Sequence, residues 1–147
     1  MNPSPPPDFA TEIFIEARPE IVAAFLTDPT QMIRWMGTEA LLDARPSGAL
    51  KIRMGSTGMT AEGVFKEVGP ERIVFTWGWQ GGDVLPPGAS TVEVTLTPED
   101  GGTRLRLVHS GLPEDRRAGH GDGWTYHLSR LEAVAAGRAP GPYRYAD

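Results

Sequence analysis

Apolar and polar residues alternate near the start of the chain and then adopt a helical spacing. Ile13 and Ile15 alternate with glutamates within residues 11–17, which predicts a half-buried strand. The segment 18–20 places a proline where a first helical turn tolerates it, so a helix is predicted to begin there. A second short helix, capped by Thr30, should follow, and the apolar positions of the two helices are Ile21, Val22, Phe25 and Leu26, then Met32, Ile33, Trp35 and Met36.

Residues 39–110 have the pattern of six short strands separated by turns rich in glycine and proline. A period of two gives four of these strands one apolar face, made of Leu50, Ile52 and Met54; Ile73, Phe75, Trp77 and Trp79; Val92, Val94 and Leu96; and Leu105, Leu107 and His109. The facing of the strand between Met59 and Val68 stays open, because Val64 and Phe65 point to opposite sides and Gly63 favours a bulge.

A long amphipathic helix is predicted near the C-terminus. Trp124, Leu128, Leu131 and Ala135 follow a helical spacing, and Gly137 should end the helix. Its start is predicted either at Pro113 or only at Asp122, because the three glycines at 119, 121 and 123 lower helix propensity. To bury its apolar stripe together with that of the sheet, the helix must lie across the sheet.

Length and charge narrow the function classes. A chain of 147 residues fits one domain, which we expect at residues 9–138 between a flexible proline-rich arm (1–8) and an irregular tail (139–147). The chain has no cysteine and a net charge of −5, so disulfides are excluded and nucleic acid is not an expected partner. We expect no membrane span and no signal peptide, which favours the cytoplasm.

The order of these elements resembles the helix-grip fold of the START-like (SRPBCC) superfamily, an α+β fold in which a curved antiparallel sheet wraps around a long C-terminal helix and two short helices follow the first strand. Within that superfamily the chain is similar to the domain family named after the activator of Hsp90 ATPase. The similar segments are residues 18–25, Trp35, residues 46–48, residues 70–77, residues 103–105, residues 109–112, and Gly123-Trp124 followed by Leu128 and Leu131.

The resemblance implies a cavity between the sheet and the long helix that binds an apolar small molecule without a cofactor. We expect the ligand-binding residues to be Trp35, Ile52, Met54, Phe75, Trp77, Trp79, Val94, Leu107, His109, Trp124 and Leu128. One alternative is a cyclase, hydrolase or dehydratase that uses the same cavity. A second is a co-chaperone-like protein, although the chaperone activators of the family carry a further N-terminal domain and only a short arm precedes the first strand here.

Individual side chains add little catalytic chemistry. His109 should point inward at the pocket rim, either as an acid or base or as a histidine satisfied by the backbone or by water. The loop 80–88 is either a lid or a long hairpin connection. His120, Asp122 and His127 lack the spacing of a zinc helix, so no metal site is predicted, and no nucleophile elbow, phosphate-binding glycine loop or dinucleotide fingerprint occurs. A weak homodimer is one hypothesis for the oligomeric state.

Overall fold

The computed structural model describes residues 8–55 and 59–145, and residues 1–7 of the predicted arm lie outside this part. The elements follow the predicted order, and their bounds are β1 Phe9–Ile15, α1 Pro19–Thr27, α2 Pro29–Met32, β2 Glu39–Leu42, β3 Ala49–Arg53, β4 Thr60–Val68, β5 Arg72–Trp77, β6 Ser90–Glu99, β7 Gly102–Ser110, a 3-10 turn Glu114–Arg116, and α3 Arg117–Ala135. The predicted α+β helix-grip fold is confirmed, with two short helices after the first strand and a long helix at the end.

The seven strands form one antiparallel sheet in the order β1-β7-β6-β5-β4-β3-β2. The two short helices therefore carry the chain from one edge of the sheet to the other. The β6–β7 hairpin turns through Asp100 and Gly101, which both have positive φ, as a two-residue hairpin loop with the favoured twist requires.

The two short helices depart from the sequence prediction in detail. Ile21 of α1 and Ile33, which follows α2, are each about 40% exposed, so the predicted apolar stripes are narrower than expected. The cap of α2 is Asp28, whose carboxylate accepts a hydrogen bond from the backbone N–H of Thr30 at 2.9 Å. Asp28 therefore supplies the acceptor for a free backbone N–H of the first helical turn, with Pro29 as the first helical residue. Thr30, the predicted cap, lies inside the helix.

The structure settles the facing of β4. Phe65 is fully buried, whereas Val64 points outward and donates its backbone N–H to the Thr76 hydroxyl at 2.9 Å. A side chain at Gly63 would collide with the carbonyl oxygen of Thr76, and the register with β5 shifts between Phe65 and Glu67. This register shift lies at Lys66, three residues after Gly63, and Phe65 faces the core by simple alternation from the buried Ala61.

The core lies between the concave face of the sheet and helices α1 and α3. The helix α3 begins at Arg117, between the two predicted starts, and buries Trp124, Leu128, Leu131 and Val134. Gly121 lets the helix approach β1, because a Cβ at this position would lie 3.0 Å from the Phe9 ring. Beyond α3 the chain turns at Gly137, which has a φ of 83°.

Candidate functional site

A cavity of about 640 Å³ lies between the sheet and the first half of α3. Its lining is mostly apolar and consists of Met36, Met54, Met59, Trp77, Trp79, Val84, Leu85, Trp124 and Tyr145, with Gly82, Gly119 and Gly123. The polar lining residues are Asp83, Asp115, Arg116, His120 and His127. Because Asp83, Asp115 and Arg116 are exposed, the cavity opens to solvent between the loop after β5 and the start of α3.

Glycine residues create the space on the helix side of the cavity. Gly119 and Gly123 are four residues apart, so they lie on the same face of α3, and both line the cavity. An added Cβ at either position would have no neighbouring atom within 4 Å. The first half of the helix therefore leaves a gap where the second half presents large side chains to the sheet.

The loop between β5 and β6 forms one wall of the cavity. Trp79 donates its backbone N–H to the carbonyl oxygen of Leu85 at 2.9 Å, and the Leu85 side chain is buried in the core. A side chain at Gly78 would overlap the carbonyl oxygen of Pro86, so the two ends of the loop are in close contact. The tip residues Asp83 and Val84 line the cavity and remain exposed.

Three tryptophans form the inner end of the cavity. The ring of Trp77 lies 5.6 Å from that of Trp79 and 5.2 Å from that of Trp124, measured between centroids. Trp79 donates its indole N–H to Nε2 of His120 at 3.1 Å, and Trp124 donates to Nδ1 of His109 at 2.9 Å. The indole Nε1 of Trp77 is buried and has no hydrogen-bond partner among the described residues.

His109 is fully buried and does not line the cavity, so the predicted position at a pocket rim is wrong. Its Nδ1 accepts from Trp124, so its Nε2 carries the proton and donates to the Ser90 hydroxyl at 2.8 Å. Ser90 in turn donates to the carbonyl oxygen of Trp77 at 2.7 Å. Burial, with a smaller contribution from His120, lowers the pKa of His109 to about 3, so the ring is neutral.

The two other histidines line the cavity with both ring nitrogens engaged. His120 donates from Nδ1 to the carbonyl oxygen of Arg116 at 2.9 Å and accepts from Trp79. His127 lies 2.8 Å from the carbonyl oxygen of Gly123 through Nδ1, and 2.9 Å from the hydroxyl of Tyr143 through Nε2. Burial lowers the pKa of His127 to about 4 and raises that of Tyr143 to about 12. Both groups are therefore neutral at pH 7.

The C-terminal tail closes one side of the site. Its described residues 139–145 form no helix or strand, and Tyr143 accepts a hydrogen bond from the backbone N–H of Gly37 at 2.9 Å. Tyr145 stacks on His127 at 5.7 Å and lines the cavity. The buried guanidinium of Arg130 donates to the carbonyl oxygens of Trp35 and Gly141 and so ties the tail to the core.

The structure brings four of the eleven predicted ligand-binding residues together at the cavity, namely Met54, Trp77, Trp79 and Trp124. The other seven are buried in the surrounding core, namely Trp35, Ile52, Phe75, Val94, Leu107, His109 and Leu128. Sequence reasoning did not assign His120, His127 or Tyr145 to the site. A usable signal was the glycine pair at positions 119 and 123, which marks a helix face without side chains.

Electrostatically, the cavity is neutral inside and charged at its mouth. The ionised lining groups within residues 8–55 and 59–145 are Asp83, Asp115 and Arg116, and all three are exposed. No cluster of three or more metal-ligating side chains of the His, Cys, Asp or Glu type occurs in this part of the chain. Nor is any helix in this part long and apolar enough to cross a membrane.

Comparison with known proteins gives one matching family. The profile of the family described as Activator of Hsp90 ATPase homolog 1-like protein matches residues 16–136, which includes every element from α1 to α3. A search of the curated proteins found no match.

Several solved structures share the fold. An AHSA1-like protein from Rhizobium etli, solved by solution NMR, is 44% identical, with 93% of this chain and 86% of that chain covered and a TM-score of 0.73. A crystal structure of a protein from Chromobacterium violaceum is 26% identical, with 87% and 96% covered and a TM-score of 0.76. The Aha1 dimer from Colwellia psychrerythraea, a solution structure, is 18% identical, with 87% and 95% covered and a TM-score of 0.76.

Proposed function

Because the chain belongs to the Activator of Hsp90 ATPase homolog 1-like family and carries a preformed cavity at the open end of its helix-grip fold, we propose that it binds an apolar small molecule. The observation that carries this proposal is a cavity of about 640 Å³ that opens to solvent and is lined mostly by apolar side chains.

The size and lining of the cavity support the proposal. A volume of about 640 Å³ lies within the range of small-molecule sites, which are mostly apolar with a few polar groups. The three tryptophans supply ring surfaces, and the methionines Met36, Met54 and Met59 supply flexible apolar contacts that adapt to different shapes.

Binding without chemistry is favoured over catalysis by the state of the histidines. The ring nitrogens of His120 and His127 are already engaged with Arg116, Trp79, Gly123 and Tyr143. A general acid or base needs a ring nitrogen within reach of the substrate, and here each nitrogen would first have to leave its present partner.

Three further properties remain proposals. We place the ligand-binding domain at residues 9–138, and we keep the cytoplasm as the proposed location. The Colwellia protein is a dimer in solution. For this chain a weak homodimer is proposed, and sedimentation velocity over a range of concentrations would test it.

The binding test uses a polycyclic phenol and a long-chain acid as probes, with tryptophan fluorescence as the readout. We expect micromolar affinity for at least one probe, because a ring or chain beside Trp77 and Trp79 changes their surroundings. Gly123→Leu should fill the cavity from the helix side and weaken binding at least tenfold. Thr125→Leu is the matched control, since Thr125 lies on the exposed face of the same helix.

Two outcomes would contradict the proposal. If no probe changes the fluorescence or the melting temperature, the cavity is not a binding site for such molecules. If a bound probe is chemically converted and product accumulates, the protein is an enzyme, and the histidines at the cavity become the first residues to substitute.

A further inference from the structure

Residues 139–145 of the C-terminal tail connect the long helix to the chain beside β2 and β3. They contact Tyr126, His127 and Arg130 of α3, and they reach Gly37 and Gly55 on the other side. We propose that this segment is a strap, which detaches from the folded protein and thereby controls how fast a ligand enters and leaves the cavity. The inference rests on the proposed binding function and adds to it the part of the wall that opens.

The strap closes the cavity on the side of β3. Tyr145 lines the cavity, and its ring stacks on that of His127 with an interplanar angle of 11°. The hydroxyl of Tyr143 lies 3.8 Å from the sulfur of Met54, which is also a lining residue. A side chain at Gly55 would overlap the carbonyl oxygen of Tyr145, so the strap lies directly on the backbone there. Release of the strap would therefore open the cavity between α3 and the end of β3.

The attachments of the strap are few and mostly polar. None of its side chains is among the buried apolar residues of the core, and both Gly141 and Arg144 are exposed. The guanidinium of Arg130 donates to the carbonyl oxygen of Gly141 at 2.9 Å, and the backbone N–H of Arg144 donates to the hydroxyl of Tyr126 at 2.7 Å. Water replaces the partner when a hydrogen bond of an exposed group opens, so such bonds add little net stability. Segments with few buried apolar contacts open locally without global unfolding.

The backbone before the strap has a turning point that is free of packing. Gly137 is exposed and has a φ of 83°, and an added Cβ there would have no atom within 4 Å. Residues that absorb such backbone changes at the end of an element are typical hinges of moving segments. The matched family profile ends at residue 136, so both this hinge and the strap lie outside the part of the chain that the family model matches.

The other irregular wall of the cavity, the loop between β5 and β6, is anchored more firmly. Its Leu85 side chain is buried in the core, and its carbonyl oxygen accepts a hydrogen bond from the backbone N–H of Trp79. Moving this loop would withdraw Leu85 from the core and expose apolar surface to water. Moving the strap withdraws no buried apolar side chain of its own, so the strap is the wall that opens first.

The first test is native-state hydrogen exchange of the full chain, which needs no ligand. The backbone N–H of Arg144 reports on the strap, and that of Val94, in the central strand β6, reports on global unfolding. Relative to unfolded peptides, Arg144 should exchange at least about a hundredfold faster than Val94, and low urea concentrations should not change its rate because little surface is exposed on release. Equal protection of the two amides would overturn the inference, because the strap would then open only when the whole protein unfolds.

The second test displaces the strap with a single methyl group. Gly55→Ala places a Cβ where the carbonyl oxygen of Tyr145 lies, and Gly69→Ala is the matched control, because its Cβ would make only an ordinary contact, at 3.5 Å, and Gly69 does not line the cavity. Stopped-flow tryptophan fluorescence with the polycyclic phenol 1-hydroxypyrene measures the rate constants of association and dissociation. Gly55→Ala should raise both rate constants at least about fivefold, and Gly69→Ala should change neither.

The two rate constants distinguish a gate from a fixed wall. A fixed wall that only contacts the ligand would give Gly55→Ala a faster dissociation with an unchanged association, and this result would overturn the inference. Tyr145→Ala, which removes the ring stacked on His127, should raise both rate constants as well, and unchanged association in both variants would also overturn it. If 1-hydroxypyrene does not bind to the unsubstituted protein, the proposed binding function fails for this probe, whereas hydrogen exchange still decides whether the strap is released.

Discussion

The two halves of α3 differ in composition and in what they contact. Residues 117–127 contain three glycines and include the residues of the helix that line the cavity, whereas residues 128–135 bury Leu128, Leu131 and Val134 against the sheet. Both halves have the same backbone conformation, so the difference lies in the side chains alone. One helix thus provides packing at one end and an unfilled volume at the other, which separates the demands of stability from those of binding.

The largest expected effect comes from the packed half. Leu128 is 2% exposed between the helix and the sheet, so Leu128→Ala should lower the free energy of unfolding by about 2–5 kcal/mol through lost burial and a residual cavity. Urea titration followed by circular dichroism measures this loss. A change below about 1 kcal/mol would show that this half of the helix is not tightly packed.

The next effect is a pH dependence of the free energy of unfolding, caused by His109, which is hydrogen-bonded to Trp124. The pKa of His109 is lowered to about 3 in the folded chain, while an unfolded histidine titrates near 6.5. As pH falls from 6.5 towards 3, the unfolded state takes up a proton that the folded state excludes, so stability decreases. The stabilisation is complete above pH 6.5, and about 3 kcal/mol should be lost by pH 4 from this group.

Urea titrations at several pH values measure this dependence, and His109→Gln should make it shallower. His127, whose pKa is lowered to about 4, acts in the same direction and accounts for part of the remaining slope. An identical pH dependence with and without His109 would mean that its ring accepts a proton in the folded state, and that this side of the helix is less closed than its burial indicates.

A smaller effect is expected where the tail meets the helix. Tyr143→Phe removes a hydroxyl that is bonded to Gly37 and His127, and it should cost about 1–2 kcal/mol. The matched control is Tyr126→Phe, since its hydroxyl accepts from the backbone N–H of Arg144 in an exposed position and should matter less. Equal losses for the two variants, measured by thermal unfolding, would argue that the tail is not part of the packed region.

The smallest effect has the opposite sign. Gly119→Ala should stabilise the chain by up to about 1 kcal/mol, because alanine favours a helix and a Cβ at this position has open space. The same substitution at Gly121 is the control and should not stabilise, since its Cβ would press on the Phe9 ring at 3.0 Å. Destabilisation by Gly119→Ala would show that the first half of the helix has no spare volume.

The fold could be predicted because its signals are local. Alternation fixes which residues of β5 and β7 face the core, and the spacing from Trp124 to Ala135 fixes the helix stripe. Local signals are weaker where contacts with other parts of the chain determine the structure. Asp28 and Thr30 are both acceptable helix caps, and the register shift at Lys66 forms only where β4 pairs with β5.

The site was less predictable because a cavity forms where the side chains of the sheet and those of the facing helix do not contact each other. Periodicity placed Leu107 and His109 on the same face as Trp77, but it does not state where the facing helix has glycine instead of leucine. The core around Leu107 is filled, and the region around Trp77 is not. The contribution of Tyr145 comes from an irregular tail, for which no periodic pattern exists.

The position of β1 beside β7 has a consequence for how the chain folds. Asp8, just before β1, accepts a hydrogen bond from the backbone N–H of Leu112, which is 104 residues away in sequence. During synthesis the first strand leaves the ribosome long before its partner exists, so the edge of the sheet forms only after most of the chain has been made. Such non-local pairing slows folding, and we expect the β1–β7 contact to form late, on a millisecond-to-second timescale.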